Sequence, residues 1–282
     1  VMRKCEDGYA LVAAVASIAV FSAMALTVLS ATRMGISDAG AEQAQLQANA
    51  AADAGFAMAL QKLLDRDATQ RWSIDGRVRT LTYGQARLRV RIEDERGKVP
   101  ISRLDEKLAT RLLEEVGLSG DNLLIARDSL LDWTDSDDEA RPFGAEAPYY
   151  QSAGISPPNG FLGSIEELRS VRGFDARTVE RIKPLATAYT AMAAFEAQYA
   201  NPRAMAIMEE AGGKGGAVTI NRARELAGQR TAIELTDTAS LTGRPLTIIV
   251  DAALPDGARA IRRIVVELTG VANRPYFVRA YE

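Results

Sequence analysis

The sequence predicts an α+β protein in which a long amino-terminal helix lies on a small antiparallel sheet and a large all-α block interrupts the strands. Three observations carry this reading. An apolar run from Tyr9 to Ala31 leads, past Arg33, into an Ala- and Gln-rich stretch from Ser37 to Asp65. Strand-like alternation flanks the rest of the chain on both sides. Between those flanks, from Glu95 to about Gly216, apolar residues recur at helical spacing instead.

Composition removes most enzyme chemistry. The chain has 282 residues, 34 Lys and Arg against 37 Asp and Glu, and no histidine. Ser-His and Cys-His nucleophile pairs and histidine-ligated metals are therefore excluded. The single cysteine, Cys5, forms no internal disulfide. A net charge of −3 supplies no global attraction to nucleic acid or anionic lipid. A hydrophobic content of 47% is enough to build a core.

Residues 1–8 form a short polar leader, and residues 9–31 form the predicted membrane helix. No ionisable group except the Tyr9 phenol occurs from Tyr9 to Ala31. As a helix this run rises about 34 Å, enough to cross a bilayer. Arg3 and Lys4 ahead of it place the amino terminus in the cytoplasm and the remainder outside. A cleaved secretory signal needs a shorter apolar core; a plain signal anchor fits the length. A third reading starts from Gly8, because a glycine between a charged leader and an apolar helix resembles a type IV prepilin leader. That resemblance implies cleavage after Gly8 by a membrane prepilin peptidase, leaving Tyr9 as the new terminus. Most pilins carry glutamate at the fifth mature position, where this chain has Ala13. Minor pseudopilin K often lacks that glutamate. A subunit with no neighbour above it would leave such a carboxylate unpaired in lipid, at a cost of several kcal/mol.

Residues 32–94 should complete the helix and supply the first strands. Arg77–Leu81 and Gln85–Asp94 read as a hairpin about Tyr83-Gly84. In the second strand Ala86, Leu88, Val90 and Ile92 alternate with Arg87, Arg89, Arg91 and Glu93, so one face is apolar and the other basic. In residues 95–216, Ser102 and Asp105 offer a cap to a helix carrying Leu104, Leu108, Leu112 and Val116, which Gly117 stops. A second helix is expected from about Asp121 to Asp132. Ser164 and Glu167 form a capping box, Gly173 breaks the helix, Asp175 caps the next and Pro184 ends it. This is the pattern of a helix-hairpin-helix unit. Its hairpin has one glycine, where DNA-binding versions use a second to bring backbone N–H groups to a phosphate. Asn201–Gly212 reads as a degenerate second copy. In residues 217–282, strands are expected at Leu246–Asp251, Ala260–Leu268 and Tyr276–Tyr281, with a short one at Ala232–Leu235 and a turn at Pro255-Asp256-Gly257.

The densest charge feature runs from Asp132 to Glu146. Asp132, Asp135, Asp137, Asp138, Glu139 and Glu146 there face only Arg141. Such repulsion is tolerated in a solvated loop or relieved by a hard cation. The short, irregular spacing suits calcium, with its loose geometry of about six to eight oxygens, better than magnesium or zinc. The spacing is not that of an EF-hand.

Several motifs then occur in order: Asp94-Glu-Arg-Gly-Lys-Val-Pro-Ile-Ser-Arg-Leu104, Leu131-Asp-Trp-Thr-Asp-Ser-Asp137, Gly144-Ala-Glu-Ala-Pro-Tyr-Tyr150, and Ser164-Ile-Glu-Glu-Leu168 with Val171-Arg-Gly173. The series is similar to minor pseudopilin K of type II secretion systems. The resemblance covers Tyr9 to about Pro184 and lapses from Tyr189 to Arg230. It implies a pilin-like fold with a SAM-like helical insertion and a structural rather than enzymatic role. It also implies inner-membrane anchoring with a periplasmic globular part, and a place at the pseudopilus tip beside minor pseudopilins I and J and above the major pseudopilin. Calcium binding, known in the family, would fall to Asp132, Asp135, Asp137, Asp138 and Glu146. No nucleic-acid partner is expected. The alternative is a membrane-anchored helix-hairpin-helix protein that binds DNA during its uptake.

Overall fold

The computed structural model describes residues 7–65, 67, 69–190, 195–210 and 241–281; the side chains of residues 7–11, 28, 31–38 and 210 fall outside that description. In chain order the elements are α1 (Asp7–Leu63), β1 (Arg79–Tyr83), β2 (Ala86–Asp94), β3 (Val99–Pro100), α2 (Glu106–Glu115) and α3 (Gly120–Thr134). There follow α4 (Ala147–Tyr150), α5 (Ala176–Ile182), β4 (Ala186–Thr187), α6 (Pro202–Glu210), β5 (Pro245–Ala253), β6 (Arg259–Val271) and β7 (Arg274–Tyr281).

Helix α1 has two unlike halves. Across its 57 residues it rises about 85 Å. Residues 12–27 are all exposed, with Val12, Val15, Ile18, Phe21, Met24 and Leu26 bare. Ser17, Thr27 and Ser30 donate their hydroxyls back to the carbonyls of Ala13, Met24 and Leu26, which hides polar groups inside the helix. Farther along, Ala48, Ala51, Ala52, Ala59, Leu60 and Leu63 are buried against the sheet. Small residues let helix and sheet approach closely: a Cβ on Gly55 would stand 2.7 Å from Val250 Cγ1. Among the described residues no helix is long and apolar enough to cross a membrane. The expected span at residues 9–31 thus has a continuous helix but is not shown as a membrane segment. Asp7, Gly8 and Tyr9 lie in the first turn of α1, and residues 1–6 of the leader lie outside the described residues.

The sheet is antiparallel throughout, in the order β1-β2-β5-β6-β7. Alternation decides its faces. Leu88, Val90 and Ile92 of β2 share rows with Ala252, Val250 and Ile248 of β5, and all are buried against α1. Gly84 and Gly257, at φ 56° and 94°, supply left-handed conformations in the β1–β2 and β5–β6 connections. β2 and β5 are neighbours although the helical block separates them in sequence. The block therefore leaves and re-enters the sheet at adjacent strands, as an insertion must.

The insertion has its own core. Leu112 and Leu113 of α2, Leu130 and Trp133 of α3, Leu168, Val179, Ile182 and Ile207 form one cluster, separate from the cluster between α1 and the sheet. The parallel pair β3-β4 ties the two ends of the unit together. Asp105 caps α2 by accepting the Leu108 N–H at 2.7 Å, and Asp175 caps α5 by accepting that of Thr178 at 2.7 Å.

Two expectations are corrected, and a third lies outside the described residues. Ser102 does not cap α2; its hydroxyl accepts the Leu162 N–H at 3.0 Å. The first arm of the helix-hairpin-helix unit is a 3-10 helix, Ile165–Ser170, and Ser164 makes no side-chain cap bond. The physical reason is that Glu167, the other half of the supposed box, is used elsewhere: it accepts from Trp133 Nε1 at 2.9 Å and from the Gly163 N–H at 2.9 Å. The strand expected at Ala232–Leu235 lies outside the described residues, as does most of 189–230.

Candidate metal centre

The acidic loop begins where α3 ends. Asp128, Asp132 and Asp135 fall at successive turns of one helix face, and each turns toward the loop that follows. Asp128 is buried; its Oδ1 accepts from Arg127 and its Oδ2 from the Phe143 N–H at 3.2 Å. Asp132, fully buried, accepts from Arg141 Nη1 at 2.6 Å and from the Arg141 N–H at 3.2 Å. Arg141 Nη1 also reaches Asp135 Oδ2 at 2.5 Å. These bonds fold residues 135–146 back over the helix end. Gly144 is required at the closest approach, since a Cβ there would lie 1.8 Å from Asp132 Oδ2.

The far wall comes from the hairpin unit. Arg172 donates through Nη1 to the Gly144 carbonyl at 3.0 Å and stacks 4.8 Å from the Tyr149 ring centroid. Tyr150 accepts the Arg172 N–H and meets Trp133 edge to face at 5.1 Å. Gly173, at φ 90°, lies against the backbone of α3, where a Cβ would come within 2.9 Å of Ala126 Cα. Its missing side chain serves close packing, and the hairpin unit functions here as a buttress for the acidic loop.

Inside this frame Asp135, Asp137 and Glu146 converge. One carboxylate oxygen from each lies within 4.8 Å of the others. Two oxygens bound to one calcium ion stand up to about 5 Å apart, twice the metal–oxygen distance. Glu146 is 3% exposed, and neither of its carboxylate oxygens has a hydrogen-bond partner; Asp135 Oδ1 is buried and unpartnered as well. Buried carboxylates without donors are costly. Burial, followed by the charges of Asp132, Asp135, Asp138 and Asp137, pushes Glu146 up from 4.5 to about 7. Burial also raises Asp132, against the lowering pull of its bonds to Arg141. The donor set is all oxygen and partly desolvated, which fits a hard divalent cation of calcium's size.

The five carboxylates singled out in the sequence thus divide. Asp135, Asp137 and Glu146 meet. Asp132 is committed to Arg141 and orders the loop. Asp138 turns to Asn159, whose Nδ2 donates to Asp138 Oδ1 at 2.8 Å and to the Asp137 carbonyl at 2.9 Å. Asp128 and Asn159 were missed. Asp128 had a signal, four residues before Asp132 on the same helix face; Asn159 had none.

Residues 90–191 match the family model described as Type II secretion system (T2SS), protein K. The curated Type II secretion system protein K of Aeromonas hydrophila is 36% identical over 78 residues, covering 26% of this chain and 23% of that protein. The aligned part thus spans under a quarter of the relative's length. One chain of the crystal structure of the GspK-GspI-GspJ complex from the enterotoxigenic Escherichia coli type 2 secretion system aligns at a TM-score of 0.48 and 14% identity. That alignment covers 87% of this chain and 97% of the other. The acidic loop and its buttress lie wholly inside the segment that carries the protein K likeness.

Proposed function

We propose, from the type II secretion system protein K segment at residues 90–191, that this chain is a minor pseudopilin. In this reading it sits at the tip of the pseudopilus with minor pseudopilins I and J, above the major pseudopilin, and primes or caps the filament that exports folded proteins. The observation that carries the reading is the protein K segment set into the sheet of a domain whose α1 projects a bare apolar half. Residues 12–27 of α1 are exposed among the described residues, and burying six or more large side chains there favours lipid or a bundle of like helices. The stalk resides in the inner membrane before assembly, with the globular part in the periplasm, and prepilin peptidase cuts between Gly8 and Tyr9. Ala13 offers no carboxylate to a subunit above, and the bulky insertion crowds the same position.

Asp135, Asp137 and Glu146 hold calcium, which supplies the positive charge that the buried oxygens of Glu146 and Asp135 Oδ1 lack. The role is structural: the ion locks the loop between α3 and the hairpin unit. The decisive experiment co-expresses the full chain with candidate pseudopilins I and J and with prepilin peptidase. A stable ternary complex, and a mature chain beginning at Tyr9 by mass spectrometry, support the proposal. An intact leader in the presence of active peptidase, or no complex with I and J, rejects it.

A further inference from the structure

The sheet face turned away from α1 is strongly basic. Register places its side chains in cross-strand rows. Arg87 shares a row with Ala253 and Arg259, Arg89 with Asp251 and Ile261, and Arg91 with Ile249 and Arg263. Five arginines therefore stand on one surface of a chain whose net charge is −3. Two carboxylates oppose them. Asp251 takes a two-pronged contact from Arg259 at 2.6 and 2.8 Å and lies 3.9 Å from Arg89; Glu93 pairs with Arg91 at 2.9 Å. Arg87 and Arg263 have no carboxylate partner among the described residues. Among the described residues the insertion meets this face at its far end, where Thr247 is buried against Glu95.

Arg87, Arg89 and Arg91 repeat at every second residue of β2, and Arg259 and Arg263 stand two strands away across Ala253 and Ile249, so positive charge gathers on this face with two carboxylates to offset five arginines. Alanine, isoleucine and threonine between the arginines keep the face low, so the guanidinium forks project above it. Such forks match carboxylates in paired geometry. No aromatic ring stands among them for base stacking. Height separates protein from lipid as the source of negative charge. The near end of the face is fixed on α1 by Gln45, whose Nε2 donates to the Arg259 carbonyl at 3.2 Å. From Ala31 to Gln45 the helix climbs about 21 Å. With the stalk in hydrocarbon to Ala31 and a headgroup layer about 5–7 Å deep, the arginines therefore lie roughly 14–16 Å, nearly two Debye lengths of about 8 Å, above the headgroups.

We infer that this face is a docking surface for an acidic protein surface, carried by a neighbouring subunit of the same assembly. The height argument rests on the pseudopilin reading; the basic face does not. The test uses the full chain in neutral detergent micelles and fluorescein-labelled poly-L-glutamate as probe, read by anisotropy. Wild-type protein binds the probe, and binding falls as salt rises. Arg87→Gln/Arg263→Gln, with unchanged melting temperature, weakens it about tenfold. Arg169→Gln/Arg177→Gln on the hairpin unit leaves it unchanged. Equal loss in both double variants, or no loss in the first, overturns the inference. So does tighter binding to a 20-base-pair duplex, or to vesicles containing phosphatidylglycerol, than to polyglutamate. A chain that binds the probe as expected but fails to assemble with I and J sinks the pseudopilin reading alone.

Discussion

Glu146→Gln should stabilise the calcium-free protein and destabilise the calcium-loaded one. Glu146 is buried with both oxygens unpartnered, and its environment lifts it from 4.5 to about 7. A shift of that size corresponds to about 3 kcal/mol. Its sign follows from which form the fold prefers. Below pH 4.5 the group is protonated in both states and contributes nothing. Between 4.5 and about 7 the unfolded chain ionises first, so stability falls as pH rises. Above 7 the full penalty applies. Glutamine has the same shape and no charge, so in chelator at pH 8 the variant should melt higher by about 6–12 °C for a protein of this size. At pH 5 the two should nearly coincide. Calcium at 1,000 times its dissociation constant adds about 4.1 kcal/mol to the wild type, more than the penalty of about 3 kcal/mol, whereas glutamine forfeits a charged ligand, so the order of melting temperatures should reverse. Thermal unfolding followed by near-ultraviolet circular dichroism, at both pH values with calcium or EDTA, reads all four arms. Equal melting of the two proteins in EDTA at pH 8 would refute the buried-carboxylate argument. A wild-type melting temperature indifferent to calcium would refute the metal centre.

Lys98→Met should cost about 3–5 kcal/mol, because Glu95 would then remain charged and buried without its 2.5 Å partner. Urea unfolding measures this, and adding Glu95→Gln should recover most of it. Gly144→Ala places a methyl 1.8 Å from Asp132 Oδ2; calcium affinity, by isothermal titration, should fall at least about tenfold as the ordering contact is lost. Gly55→Ala forces α1 off Val250, and a shift of about 1–3 kcal/mol in urea should follow without change in calcium affinity.

Legibility in the sequence tracked the range of the interaction that decides each feature. The strands of the main sheet and α1 to α3 were readable because period and caps are local: Leu88, Val90 and Ile92 alternate, and Asp105 and Asp175 bind amides three residues on; the expected all-α block instead contains the short parallel pair β3-β4, whose partners lie 87 residues apart. The insertion was readable from the order of those elements, since strands that cannot make a sheet alone must pair across the helical block. The capping box at Ser164 failed because Glu167 bonds to Trp133, 34 residues away, and no local rule sees that competitor. The same reason divides the acidic loop. Five carboxylates look alike in sequence, yet Arg141 claims Asp132 from nine residues away and Asn159 claims Asp138 from 21. What remains is Glu146, buried with both oxygens unpartnered, beside Asp135 with one oxygen unpartnered and the exposed Asp137. A cluster of charge can be counted from a sequence. The candidate site is the part of that cluster that folding gathers around a buried carboxylate left without a donor, and only long-range contacts determine which part that is.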